Sequence, residues 1–231
     1  MAVAHLKSLT FKPLWGGVNP EPGPEPKPDT HEYVDLGLPS GIVWATENIK
    51  DTDGNDLYFA WGETQGYTSG QVGTDKYFVW SGDNADYKYG TYDDSDTENY
   101  GMTKYNKTDG KTVLESTDDA AVVNWGNGWR MPTKEEYKEL LNNLDGYGND
   151  ETFGIWFEKD GDVLTIPSCG YAENGIVKKR TDIGYVPLTW LNSRDTYGSS
   201  ISVYIESHDG YADNDNFYRC IGLPVRPVRQ K

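Results

Sequence analysis

Three groups of residues have the types and spacing to do chemistry. The first is a run of carboxylates, Asp93, Asp94, Asp96 and Glu98, in the stretch YDDSDTEN. Calcium takes about six to eight oxygen ligands at short range, and this run offers oxygens. It lacks the glycine and the closing glutamate of an EF-hand loop. A calcium site and a solvated acidic loop are its two readings, and no other cofactor is expected.

The second group fills the stretch from Trp190 to Arg219, WLNSRDTYGSSISVYIESHDGYADNDNFYR. Trp, Tyr and Arg are favoured binding anchors, while Ser and Asn adapt by hydrogen bonding. The candidate ligand-binding residues are Trp190, Asn192, Arg194, Asp195, Tyr197, Tyr204, His208, Tyr211, Asn214, Asn216 and Tyr218. Strand packing is the alternative for about half of them, Tyr204 and Tyr218 above all. The third group is the cysteine pair, Cys169 and Cys220, which could form one bond or stay two separate thiols. Neither lies in a C-x-x-C pattern, and the histidines His5, His31 and His208 are scattered.

No G-x-S-x-G, H-E-x-x-H or G-x-x-x-x-G-K motif is present, and no histidine lies beside a plausible catalytic nucleophile, His208 falling in the turn-like ESHDGY. An enzyme is not expected. The 231 residues hold 37 acidic and 21 basic side chains, a net charge of -16. Such a chain lacks the positive surplus that binds phosphate backbones, so no nucleic-acid partner is expected. No apolar run is long enough to span a membrane. Although only 36% of residues are apolar, 8 tryptophans and 17 tyrosines can carry a core.

Positioning these groups requires a scaffold, and its elements are partly readable. Residues 1–17 form a short apolar segment, a strand or docking peptide, with Leu9, Phe11, Leu14 and Trp15 as its partner-anchoring side chains. Residues 18–30 alternate proline with polar residues and read as a stiff, extended linker. The globular domain is expected over 31–231. Ile42 to Trp44 reads as a strand after the Pro39-Ser40-Gly41 turn. From 64 to 110 the chain is polar, tyrosine-rich and glycine-rich, too long for an ordinary loop, so it is expected to pack on the domain through its aromatics. Residues 118–124 suggest a short helix with Asp118 or Asp119 near its start. The main helix is expected near 133–144, with Thr133 and Glu136 as a capping box, Tyr137, Leu140, Leu141 and Leu144 on one face, and Gly146 as its stop. Beyond 150 short strands dominate, including Val163 to Ile166, Tyr185 to Trp190, Ile201 to Ile205, Phe217 to Ile221 and Val225 to Val228. The fold class is α+β, with small antiparallel sheets and long ordered loops.

Five ordered stretches, HEYVDLGLPSGIVWAT, YFAWGE, DDAAVVNWGNGWRMPTKEE, IPSCGY and GLPVRPVR, resemble the Fibrobacter succinogenes major paralogous domain (FISUMP) family of Bacteroides-type bacteria and their phages. The resemblance covers roughly residues 31 to 229. It implies a C-type-lectin-like fold related to the formylglycine-generating-enzyme architecture, and a binding scaffold. By this resemblance Trp44, Trp61, Trp125, Trp129, Arg226 and Arg229 are scaffold, and Glu63 and Arg226 are charges that pair between motifs. The calcium-dependent sugar-binding triplets of C-type lectins are absent after residue 31, and so is the cysteine pair of formylglycine-generating enzymes.

The expectation is therefore a noncatalytic binding or display protein. It would be a phage capsid fibre or decoration protein, held in a capsid or other assembly by residues 1–17, on the virion surface. Its partner would be a bacterial surface glycan or protein, and a homotrimer is one assembly it allows. Residues 1–7, MAVAHLK, do not read as a signal peptide, which favours this placement. The alternatives are a bacterial cell-surface adhesin whose signal was removed, and a formylglycine-generating-enzyme-like oxidoreductase.

Overall fold

The computed structural model describes residues 29–72, 77–79, 86–93, 95–150, 154–167, 169–178, 189–194, 200–206 and 211–231. At 149–150, 189–194, 200–206 and 211–217 it describes the backbone. Leu9, Phe11, Leu14 and Trp15, and residues 18–28 of the linker, lie outside the described residues. So do Asp94, Asp195, Tyr197 and His208.

Strands β1 (Tyr33–Val34) and β2 (Ile42–Ala45) come first, followed by helices α1 (Ser69–Val72), α2 (Ala120–Trp125) and α3 (Lys134–Asn142). Strands β3 (Gly146–Asp150), β4 (Gly154–Lys159), β5 (Asp162–Ile166), β6 (Tyr171–Glu173) and β7 (Ile176–Lys178) follow, then β8 (Thr189–Arg194), β9 (Ser200–Glu206), β10 (Tyr211–Phe217) and β11 (Val228–Gln230). Three sheets run in the orders β1-β2-β11, β3-β4-β5 and β10-β9-β8, and β6-β7 is a hairpin. Every named pairing is antiparallel. This is an α+β domain with one main helix and small antiparallel sheets.

Both longer helices start where side-chain acceptors replace missing backbone partners. Asp119 accepts from the N–H groups of Ala121 (2.9 Å) and Val122 (3.1 Å), capping α2. The same carboxylate accepts from the Met131 N–H at 3.0 Å, which ties α2 to the approach of α3. Thr133 and Glu136 form the expected capping box. Glu136 also receives both terminal nitrogens of Arg130, a fork-to-fork pairing that holds the RMPT segment against the helix start. Tyr137 and Leu140 are buried, with Leu141 and Leu144 packed at the core margin. The helix ends at Asn143, whose Nδ2 donates to the Glu139 carbonyl at 2.7 Å. Gly146, expected as the stop, instead opens β3.

That strand, GYGND, carries few of the usual strand residues. Its register explains the choice. Gly148 pairs with Trp156, and a Cβ on Gly148 would sit 2.7 Å from the indole ring. The bare glycine lets the ring lie across the strand.

The last dozen residues of the domain thread through its middle. The Arg219 carbonyl accepts from Trp61, Gly222 exchanges bonds with Ala172, and Leu223 with Phe59. Val225 accepts from Ile49, Pro227 from Ala45, and Val228 exchanges bonds with Arg130. One core cluster gathers on this thread, including Trp44, Trp61, Phe59, Tyr105, Leu223 and Val225. Trp44, Trp61 and Trp129 are buried and Trp125 half-buried, as scaffold residues should be.

Arg226 is fully buried on this thread. Its Nε donates to Asn48 Oδ1 and its Nη1 to the Ala45 carbonyl, each at 3.0 Å. Burial pushes its pKa down, while the fields of Cys169, Asp56 and Glu47 oppose that shift. The carboxylates acting on Arg226 are thus Asp56 and Glu47 rather than Glu63, which instead accepts from the Lys88 N–H at 2.7 Å. Arg229 binds Asp29, which also accepts from Trp129 Nε1 at 2.9 Å and from the His31 N–H at 3.1 Å. Asp29, counted with the linker by sequence, is therefore pinned to the domain. Replacing Arg226 with Met removes the donors that the buried Asn48 Oδ1 and the Ala45 carbonyl accept from. Urea unfolding of Arg226→Met is expected to show a loss of about 2–4 kcal/mol.

Candidate functional site

Strands β8, β9 and β10 carry most of the sequence-predicted recognition residues, and their register sorts them. Tyr211 pairs with Glu206, Asp213 with Tyr204, Asp215 with Ser202 and Phe217 with Ser200. Trp190 pairs with Ser202 and Arg194 with Ser200 across a register shift. Trp190, Arg194, Tyr204 and Tyr211 thus hold register positions on one face of the sheet. Ala212, Asn214 and Asn216 pair with Ile205, Val203 and Ile201 on the other. Asn214 and Asn216 therefore belong to the aliphatic set, apart from the aromatic candidates. Asn192 falls inside the irregular stretch between Trp190 and Arg194.

Just past β10 lies Tyr218, the one candidate of this group whose side chain is described. Strand packing was its alternative role, yet it is 45% exposed. Its ring meets Tyr92 edge-to-face at 5.8 Å, and Tyr92, itself 36% exposed, stacks with Tyr100 at 6.2 Å. Tyr92 and Tyr100 were not among the predicted residues. The available signal was the tyrosine density of YKYGTYDDSDTENY, which the acidic residues obscured.

The segment from 86 to 118 must be rigid for this tyrosine group to hold its place, and three phenols hold it. The Tyr87 hydroxyl donates to the Trp61 carbonyl at 2.7 Å, and Tyr89 to the Gly62 carbonyl at 3.1 Å. Tyr105 donates to Asp118 at 2.7 Å and accepts from the Glu115 N–H at 2.9 Å. Arg219, next to Tyr218, closes the arrangement. Its two terminal nitrogens donate to the carbonyls of Lys104 (3.1 Å) and Tyr105 (2.6 Å), and its guanidinium lies 5.0 Å over Trp61. The two arms of the loop touch at Gly101, where φ is +77° and a Cβ would meet the Thr91 carbonyl oxygen at 1.9 Å. The sequence expectation that this stretch packs through its aromatics holds for its described part.

The acidic run lies in the same loop, and Asp93 and Asp96 turn oxygens onto neighbouring backbone. Asp93 accepts from both the N–H and hydroxyl of Ser95. Asp96 accepts from the N–H groups of Glu98, Asn99 and Gly101. These bonds lower both carboxyls. Glu98 lies 3.8 Å from Lys107 at the surface. Among the described residues no group of three or more His, Cys, Asp or Glu converges to hold a metal. Of the two readings, the geometry matches a loop built by its own carboxylates.

Both cysteines are free thiols. Cys169 Sγ donates to Asp56 at 3.2 Å and accepts from Asn48 Nδ2 at 3.5 Å, while Tyr58 donates to the Cys169 carbonyl at 2.7 Å. Burial, with Asp56 beside it, pushes the Cys169 thiol up to about 12. Burial does the same to Cys220, also to about 12. A protonated thiol is a poor nucleophile, so neither cysteine has the electrostatics of a catalytic one.

No family model, curated protein or solved structure matches the chain. Among the described residues no helix is long and apolar enough to cross a membrane.

Asp118 is the electrostatic anchor of the tyrosine-bearing loop. Burial would raise its carboxyl, but Lys104 (2.5 Å), Tyr105 and Lys88 (3.0 Å) bind it and hold it well below the usual carboxylate range. A depressed pKa adds stability above the unfolded value near ~4, and that stability is lost as pH falls toward the folded value. Asp118→Asn is therefore expected to cost about 2–3 kcal/mol at neutral pH, with Lys88 adding little because it is half exposed. The gap between the variant and parent melting curves should begin to narrow as pH falls below about 4 and close only as pH reaches the depressed folded value.

Proposed function

We propose that the chain is a noncatalytic binding protein with a C-type-lectin-like domain, which presents the β8–β10 sheet and the Tyr218 group to a bacterial surface glycan or protein. The observation that carries this reading is the exposed contact between Tyr218 and Tyr92 at the end of β10. Tyrosines combine a large apolar face with a polar tip and order at small entropic cost, so they serve recognition of sugars and proteins alike. Trp190, Arg194, Tyr204 and Tyr211 extend the same sheet by register. Support against a thiol-based oxidase comes from the raised thiols of half-buried Cys169 and buried Cys220.

The remainder of the proposal concerns placement. Residues 1–17 anchor the chain in a phage capsid, and the proline-rich segment holds the domain away from it. Many copies on one particle would let weak contacts sum. The acidic charge keeps such a crowded display soluble.

The test is a glycan array and surface-extract pull-down with the full chain. Tyr218→Ala with Tyr92→Ala is expected to weaken any detected binding by at least about tenfold, with the melting temperature retained. Unchanged binding would remove the Tyr218 group from the surface. Deleting residues 1–17 should release the protein from assembled particles without altering its array profile.

A further inference from the structure

The outer face of the β3-β4-β5 sheet carries a tryptophan laid over glycines. Pairing register divides this sheet into two faces. Ile155, Phe157, Leu164 and Ile166 turn inward and are buried in the core. Trp156, Glu158, Val163 and Thr165 hold the alternate positions, with Gly146 and Gly148 beside them on β3. Val163 is 47% exposed, Glu158 is exposed, and Trp156 and Thr165 are half-buried. This second face therefore looks to solvent.

The two glycines fix how the indole lies. A Cβ on Gly148 would sit 2.7 Å from Cζ2, 2.9 Å from Cε2 and 3.0 Å from Nε1 of Trp156. A Cβ on Gly146 would sit 3.6 Å from Cζ3 and 3.8 Å from Cη2. Both positions project from the same face of β3, and they meet different parts of one ring system. The indole therefore covers the strand with one face down, and its opposite face turns away from the sheet. No ring or cation of the described residues stacks on it. Glycine weakens a strand, and two of them here clear the space the indole occupies.

Size and charge select what can lie on this platform. An aromatic face is negative and draws C–H groups that carry partial positive charge. A pyranose with equatorial hydroxyls offers such C–H groups on its flat faces, and one pyranose matches one indole in size. Its hydroxyls radiate from the rim, where Thr165 stands opposite Trp156 and Glu158 stands two residues along the strand. The charged positions of this face are Asp150 and Glu158, both acidic, which disfavours uronic acids and nucleic-acid phosphates alike. A protein partner needs more apolar area than Trp156 and Val163 offer, since stable interfaces bury about 1,200–2,000 Å².

We propose that this face binds a neutral hexopyranose unit of a glycan, stacked on the indole of Trp156 and hydrogen-bonded by Thr165 and Glu158. The site lies on a different sheet from β8–β10 and does not rest on the reading of the Tyr218 group.

Titration of the full chain with cellotriose, followed through the indole N–H signals in proton–nitrogen correlation spectra, tests it. The Trp156 signal is the one missing from the spectrum of Trp156→Phe. It is expected to shift saturably, with a Kd in the millimolar range. Sorbitol keeps the hydroxyls but lacks the ring faces, and should bind at least about tenfold more weakly. Methyl β-D-glucuronide should bind more weakly than methyl β-D-glucoside, and Glu158→Gln should narrow that gap about threefold. Gly148→Ala crowds the indole off the strand while keeping every ligand-contacting side chain, and should weaken cellotriose by about three- to tenfold. Tyr218→Ala should leave cellotriose binding unchanged. No shift of the Trp156 signal by about 50 mM cellotriose would overturn the proposal, as would equal responses to cellotriose and sorbitol. A folded Gly148→Ala protein that binds cellotriose undiminished would overturn the role of the glycines. Cellotriose binding lost in Tyr218→Ala would move the sugar to the Tyr218 surface and overturn this site.

Discussion

Residues 219–228 hydrogen-bond to segments from throughout the domain: Ala45, Ile49, Phe59, Trp61, Lys104, Tyr105, Arg130 and Ala172. Sheets of two or three strands cannot by themselves satisfy the backbone of so many loops, and an unpaired buried amide or carbonyl is costly. The thread supplies those partners from the centre. Its two buried arginines extend its reach beyond its own backbone. Arg226 takes the Ala45 carbonyl and Asn48, and Arg219 takes two carbonyls of the 86–118 loop. A guanidinium suits this work because it offers five donors in a fixed plane and stays charged when buried.

The same economy of polar groups builds the loop that carries Tyr92 and Tyr100. Phenol hydroxyls of Tyr87 and Tyr89 reach carbonyls of the Trp61–Gly62 turn, and that of Tyr105 reaches Asp118. Each ring buries apolar area while its tip closes a hydrogen bond. The exposed tyrosines thus share the frame of the core. Tyr218 looks outward, Cys220 packs in the core, and Arg219 between them fastens the loop.

Features with a strong local rule were legible in the sequence. The capping box at Thr133 and the face of Tyr137 and Leu140 located α3, and the alternation of Ile201, Val203 and Ile205 located β9. What escaped were elements defined by their partners. Strand β10, YADNDNF, is rich in turn-forming Asp and Asn and earns its pairing only from β9. Strand β3 needed Trp156 to explain its glycines. The apolar run from Leu57 to Trp61 makes isolated bridges to Tyr67 and Leu223 that only the folded chain brings within reach. The tyrosine pair was invisible for a similar reason, since Tyr92 and Tyr218 meet only through tertiary packing. Within the acidic run, the turning of Asp96 onto the local backbone became visible only in the folded loop.

The central thread has a consequence for the order in which the domain can be made. A ribosome adds roughly 5–20 residues per second, and it delivers residues 219–230 after every segment they bind. Until then the amides of Ala45, Ile49, Phe59 and Arg130 have no thread to meet. Only neighbours in sequence, such as β4 with β5 and β6 with β7, can pair as the nascent chain emerges. The rest of the architecture waits on translation of its final strand, so folding is a closing event that follows release of β11 from the exit tunnel.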